Sequence, residues 1–187
     1  MSPAGTVERG EYLRLFCALR LPAATVAEIV SWQDGAFAGL DGLRVVASAH
    51  LHVTLAFLGR RPREELEPVA AALREAAAGV SAPELAVRRY RETRSVGMLV
   101  CDDEGGRAIK LAEDLHERLE RLGVYERERR QWLPHVTVVR FRQRPRLEPE
   151  LPALEPFVTS EAAVYMSVLR PSGAQYEVLQ SVAVGGS

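Results

Sequence analysis

Two four-residue stretches of this chain read histidine, apolar, threonine, apolar: His52-Val53-Thr54-Leu55 and His135-Val136-Thr137-Val138. Histidine titrates near neutrality, so of two imidazoles facing one reacting group, one can accept a proton while the other donates one. A threonine hydroxyl donates to an anion's oxygens without adding charge. In a strand, residues i and i+2 project to one face, so each His travels with its Thr. Two such pairs facing each other across a cleft suit displacement at phosphorus. One ring activates the nucleophile, the other protonates the leaving oxygen in line, and neither a metal nor a cofactor is required. A zinc site is the rival reading, because His50 shares a face with His52 and would make three imidazoles with His135. Neither motif has a neighbouring acidic ligand or cysteine pair, and the second copy carries Leu133 where the first has His50. His50 therefore reads as a cleft-edge or surface residue. His116 lies off the apolar stripe of its helix and reads as a solvated surface residue.

The elements that must position these residues follow from hydrophobic pattern and turn chemistry. Tyr12 to Leu19 reads as a strand, and Thr25 is placed to cap a helix running to about Phe37. Leu43 to Val46 reads as a short strand, and Leu51 to Leu58 as a longer one stopped by Gly59. An alanine-rich helix spans about Glu64 to Ala78, with Pro68 in its first turn. Glu84 to Tyr90 and Val96 to Cys101 read as strands, with a turn over Asp102 to Gly106. The next helix, Arg107 to Leu122, has Leu111, Leu115, Leu119 and Leu122 as its stripe and Gly123 as its stop. Val136 to Phe141 is a strand, Arg142 to Pro156 an irregular loop with four prolines, and Ala162 to Leu169 with Tyr176 to Val184 a closing hairpin. A strand and a helix precede each His-Thr strand in the same order, and the two motifs lie nearly half the chain apart. That is an internal repeat, and it implies a pseudo-two-fold arrangement in one bilobal α+β domain covering 1–187.

Composition bounds the rest. At 187 residues the chain is one domain's worth, where roughly 100–200 residues make a unit. It is 47% hydrophobic and 26% charged, the mix of a chain that buries a core. Basic and acidic residues number 24 and 25, so no global basic field draws the protein to nucleic acid. Lys110 is the only lysine, which leaves arginine as nearly all of the positive charge; composition bias accounts for that excess. The polar leader, about 1–11, has no apolar h-region, and no run approaches the ~20 apolar residues of a membrane helix. Cys17 and Cys101 sit in apolar strands and read as buried free thiols. A cytoplasmic monomer with no membrane partner is expected.

The paired motifs and their flanks resemble the two-histidine phosphoesterases. The surrounding stretches are similar to the LigT-like branch, the RNA 2′,3′-cyclic phosphodiesterases once described as 2′-5′ RNA ligases. The stretches are Arg14-Leu15-Phe16-Cys17-Ala18-Leu19, His52 to Gly59, Pro134 to Arg140, and Ser172-Gly173-Ala174-Gln175-Tyr176. The resemblance implies two pseudo-symmetric lobes whose antiparallel sheets line a central cleft, with helices outside. It implies metal-independent hydrolysis of an RNA 2′,3′-cyclic phosphate end to a 2′-phosphate. His52 would then protonate the departing 3′ oxygen, His135 would activate water, and Thr54 and Thr137 would hold the phosphate. Arg140 resembles a phosphate-contacting arginine, yet simple alternation turns it away from His135, and a bulge or the strand's end has to re-aim it. Phe16 is placed either to line the cleft and stack on a base or to pack in the core. A related two-histidine enzyme for another cyclic or 2′-5′-linked nucleotide, and a non-catalytic RNA-end-binding module, remain as alternatives.

Overall fold

The first apolar stretch forms β1 (Tyr12–Arg20), and Pro22 starts α1 (Ala23–Ala36), its φ of −56° already set for a helix. Thr25 does not cap that helix; it lies inside it, 4% exposed. β2 (Leu43–Val45) is short, and β3 (His52–Pro62) runs through Gly59 instead of ending there. Gly59 takes a positive φ of 70°, open to a residue without Cβ, and the strand bulges past Leu58 and continues. α2 (Leu66–Ala78) follows, with Pro68 in its first turn as expected. β4 (Glu84–Glu92) and β5 (Val96–Glu104) are longer than their apolar cores. Asp102 and Asp103 are strand residues, and the turn is confined to Gly105 and Gly106. The Asp103 carboxylate accepts from the Ala108 and Ile109 amides, at 3.1 and 2.8 Å, and so starts α3 (Arg107–Arg121). Leu111, Leu115 and Leu119 of α3 are buried, whereas Leu122, at the C-cap, is exposed. β6 (His135–Phe141), β7 (Phe157–Val158, not expected from the sequence), β8 (Glu161–Arg170) and β9 (Gly173–Ala183) complete the chain. These elements belong to a computed structural model that describes residues 12–171 and 173–185. The leader expected over 1–11 and Ser172 of the expected turn lie outside the described residues.

The nine strands make one curled antiparallel sheet in the order β7-β4-β5-β6-β3-β1-β8-β9, with β2 also on β6. Its two halves meet where β3 and β6 touch through a single pair, Val53 opposite Val136. Outward from that pair the strand order is mirrored: β3-β1-β8-β9 on one side and β6-β5-β4-β7 on the other. The two expected sheets are thus two halves of one. α1, α2 and α3 cover one face and enclose the main core, which includes Ile29, Leu73, Leu115, Val53 and Val136. The opposite face carries the histidines. Buried Glu92 ties the long loop 142–156 to the end of β4, accepting from the Arg146 and Leu147 amides at 3.0 and 2.8 Å and from Arg144 Nε at 3.1 Å. Both cysteines are free and buried, and desolvation pushes each thiol up to about 12. Among the described residues no helix is long and apolar enough to cross a membrane.

Candidate active site

The junction between the halves brings both motifs together. Antiparallel register around the Val53–Val136 pair sets His52 across from Thr137 and Thr54 across from His135. The two strands share one burial pattern through this region: half-buried His and Thr, buried residues between them, then two consecutive buried residues and an exposed one. The doubled apolar pair marks a bulge. Thr137 lies opposite Met98 and Val139 opposite Gly97, so Val138 is the extra residue of β6. Thr54 lies opposite Ala18 and Ala56 opposite Cys17, so Leu55 is the extra residue of β3.

The bulge at Val138 resets the alternation and returns Arg140 to the face of His135 and Thr137. That is the re-aiming Arg140 needed. In β3 the equivalent position carries exposed Phe57, beneath the Arg14 guanidinium. Each bulge is held from the helix side by a side chain at matching places in the repeat. Gln33 of α1 donates to the Val138 carbonyl at 2.8 Å and to that of Val46 at 3.1 Å. His116 of α3 donates from Nε2 to the Leu55 carbonyl at 2.7 Å. Gln33 precedes His116 by the same offset that separates His52 from His135. His116, expected on the surface, is therefore buried at 4% exposure. The cause is that α3 follows β5 in the chain but reaches under β3, so the flank of its stripe meets the sheet. Desolvation accordingly lowers its pKa.

Both catalytic candidates are held in the same tautomer. His52 Nδ1–H donates to the His50 carbonyl at 2.7 Å, and His135 Nδ1–H donates to that of Leu133 at 2.8 Å. With Nδ1–H committed to a carbonyl, each ring keeps Nε2 for other partners. In His52 that nitrogen accepts from the Thr54 hydroxyl at 3.0 Å. Desolvation, together with the charges of His135, His50 and Arg140, lowers the His52 pKa to about 4, against the raising effect of the His50 carbonyl. Desolvation and Arg140 also lower that of His50. Trp132 Nε1 donates to the Thr54 carbonyl at 3.0 Å and so ties the segment before β6 to β3.

One wall of the site is aromatic. Phe16, 3% exposed, stacks on Tyr165 at 4.9 Å and lies 5.1 Å from the His52 ring; Tyr176 meets Phe16 edge-on at 4.9 Å. Phe16 thus packs in a small cluster of its own, with Ala18, Ala163 and Tyr165, on the motif side of the sheet. His50 sits at the edge, its ring 4.4 Å from Tyr176. Among the described residues no three His, Cys, Asp or Glu side chains gather as a metal-ligand set.

Sequence reading missed Arg44. It lies directly opposite Arg140 across the β2–β6 pair. Like charges placed so are destabilising unless an anion lies between them. Nothing in its local sequence marks Arg44, since only the β2–β6 pairing brings it there. Two half-buried imidazoles and two hydroxyls thus share one face beside an aromatic wall, with the Arg140 charge acting on His52 and Arg44 paired opposite Arg140 at the edge. The arrangement is able to hold a phosphate and exchange protons with it from two sides.

A family model described as LigT like phosphoesterase matches residues 19–95, a span that contains the first motif. A protein of Thermus thermophilus named RNA 2′,3′-cyclic phosphodiesterase is 34% identical over 186 residues, covering 93% of this chain and 91% of its own. The crystal structure of TT0787 from Thermus thermophilus superposes with a TM-score of 0.80 at 29% identity, over 93% of this chain and 99% of that one. The crystal structure of E. coli LigT complexed with 3′-AMP superposes with a TM-score of 0.75 at 26% identity, over 94% of this chain and 99% of that one.

Proposed function

Because the chain belongs to the LigT-like phosphoesterase family, we propose that it hydrolyses an RNA 2′,3′-cyclic phosphate end to a 2′-phosphomonoester. The observation that carries this reading is the matched pair of imidazoles, each with Nδ1–H donated to a backbone carbonyl so that Nε2 is left as the acceptor. His135 Nε2 takes a proton from water as the water oxygen bonds to phosphorus. The bond from phosphorus to O3′ breaks, and His52 Nε2–H gives its proton to that oxygen. The products are a 2′-phosphate and a 3′-hydroxyl. Thr54, Thr137 and Arg140 hold the phosphate oxygens, and half-buried Tyr176, backed by the buried Phe16–Tyr165 stack, is the aromatic side chain that meets the terminal base.

Burial keeps His52 neutral at pH 7, its pKa lowered to about 4. As the acid it must therefore gain a proton on binding, and an anionic phosphodiester against the ring supplies the charge that draws one there. No step passes through a metal. The whole works as a single domain of two halves, and the two buried, unpaired thiols fit a reducing cytoplasm.

The test is turnover of an oligonucleotide ending in a 2′,3′-cyclic phosphate, in EDTA, with identification of the product's phosphate position. His52→Ala and His135→Ala each lose at least ~10²-fold in kcat. A substrate with sulfur in place of the bridging 3′ oxygen, whose leaving group needs no proton, restores His52→Ala and not His135→Ala. Full activity in either variant on the oxygen substrate refutes the reading, and rescue of His135→Ala in place of His52→Ala reverses the two roles.

A further inference from the structure

Two arginines on β4 take no part in the chemistry above, yet they rise from the same face. Arg89 lies opposite Val100 of β5, which lies opposite His135 of β6. Arg91 lies opposite Met98, which lies opposite Thr137. Residues paired across antiparallel strands project to one side, so both guanidinium groups belong to the face of the second motif. A bulge at Arg88 sets this arrangement, because the register steps from Val87–Cys101 to Arg89–Val100. It leaves Tyr90 packed against the core and turns its two neighbours toward the site.

Arg89 and Arg91 are exposed, and among the described residues neither is held by a carboxylate. Arg88 is paired with Asp102 at 3.2 Å. On the other half Glu161 stands at the position matching Arg89 and Ala163 at that matching Arg91, and Glu161 is already paired with Arg20 at 2.7 Å. The two walls therefore differ in kind: Phe16, Tyr165 and Tyr176 on one, and two unpaired cations on the other. Between Arg89, Arg91 and the motif lie only Val100 and Met98, both buried and without charge.

Two strand spacings put these arginines about 10 Å from the motif, measured across the sheet. That is too far for the phosphate that Thr54, Thr137 and Arg140 surround, and suits the next phosphodiester of an extended strand. Arginine binds phosphate through a bidentate fork, and interactions of this kind position a strand without reading its sequence. Resting on the hydrolase reading above, the geometry points to an upstream subsite. The terminal base stacks on the aromatic wall while the RNA backbone leaves across β5 and β4, its first internal phosphodiesters held by Arg89 and Arg91. The substrate is then an RNA strand, and a mononucleotide forgoes these interactions.

The experiment compares a ten-nucleotide RNA ending in a 2′,3′-cyclic phosphate with a nucleoside 2′,3′-cyclic monophosphate. The native enzyme favours the oligonucleotide in kcat/KM. The double variant Arg89→Gln/Arg91→Gln loses ~10-fold or more on the oligonucleotide and stays within about twofold on the mononucleotide. The slope of log kcat/KM against log salt for the oligonucleotide falls by about 1.4, at ~0.7 for each phosphate no longer neutralised. Arg121→Gln, an exposed arginine at the end of α3, leaves both substrates unchanged. Equal losses on both substrates, or an unchanged salt slope, overturn the subsite. Turnover of neither substrate by the native protein overturns the hydrolase reading instead. The subsite is then decided by binding of a fluorescent RNA ending in a 2′-phosphate: weaker binding by the double variant supports it, and equal binding overturns it.

Discussion

Replacing His116 by Leu removes the side-chain donor to the Leu55 carbonyl while keeping an apolar side chain of similar reach. The native ring is 4% exposed, donates at 2.7 Å, and packs at 4.8 Å on Tyr125. Leaving a buried carbonyl without its donor costs about 1–3 kcal/mol. Losing the ring pair adds ~0.5–1.5 kcal/mol, which the more hydrophobic leucine offsets in part. The expected net loss is about 1–3 kcal/mol. In a chain of this length each kcal/mol moves Tm by ~2–4 °C, so Tm falls by about 2–12 °C. Urea unfolding followed by circular dichroism reads the same change as a lower midpoint at unchanged slope. His116→Gln keeps an amide donor, the group Gln33 uses at the matching bulge, and recovers at least half of the loss. A His116→Leu protein as stable as the native one refutes the clamp. So does a His116→Gln variant no better than His116→Leu.

Two further outcomes follow from polar groups withdrawn from water. His52, its pKa lowered from 6.5 to about 4, binds its proton later than the unfolded chain does as pH falls. Stability is therefore complete above pH 6.5 and declines between there and pH 4, by about 1–3 kcal/mol for this residue. His116 adds to the decline in the same direction. Urea midpoints measured from about pH 7.5 to about pH 4.5 check this: a flat profile contradicts the burial, and His52→Gln flattens part of a sloping one. Glu92→Ala strands the Arg146 and Leu147 amides that its carboxylate, 2% exposed, accepts from. Stability falls by ~2–4 kcal/mol, and trypsin cuts after Arg142 and Arg146 faster than in the native protein. Cleavage at the native rate shows that loop 142–156 is held by something else.

The grouping of the candidate site residues was legible because strand periodicity is local. His52 with Thr54 and His135 with Thr137 share a face wherever their strands lie, and a repeat of the pair calls for a shared cleft. The irregularities are harder to read. Leu55-Ala56 and Val138-Val139 break alternation with paired apolar residues, and this is the one trace in the sequence of the bulges that re-aim Phe57 and Arg140. Taken as continuous apolar strand, the pairs conceal them. Gly59 reads as a stop because positive φ usually ends a strand, whereas here it accommodates a bulge and the ladder continues.

By itself the sequence determined which groups are candidates for chemistry, that they come in two copies, and the strand–helix–strand order that carries each copy. These depend on residue type and on spacings of a few positions. Tertiary structure alone decided which charges face the site and which polar side chains are buried. Arg44 meets Arg140 only through the β2–β6 pairing, and Arg89 and Arg91 reach the motif face only through β5 and a bulge at Arg88. His116 and Gln33 exchange sides because each helix packs beneath the strand of the opposite half. Register and helix crossing are set by contacts between residues far apart in the chain, and no local window of sequence contains both partners.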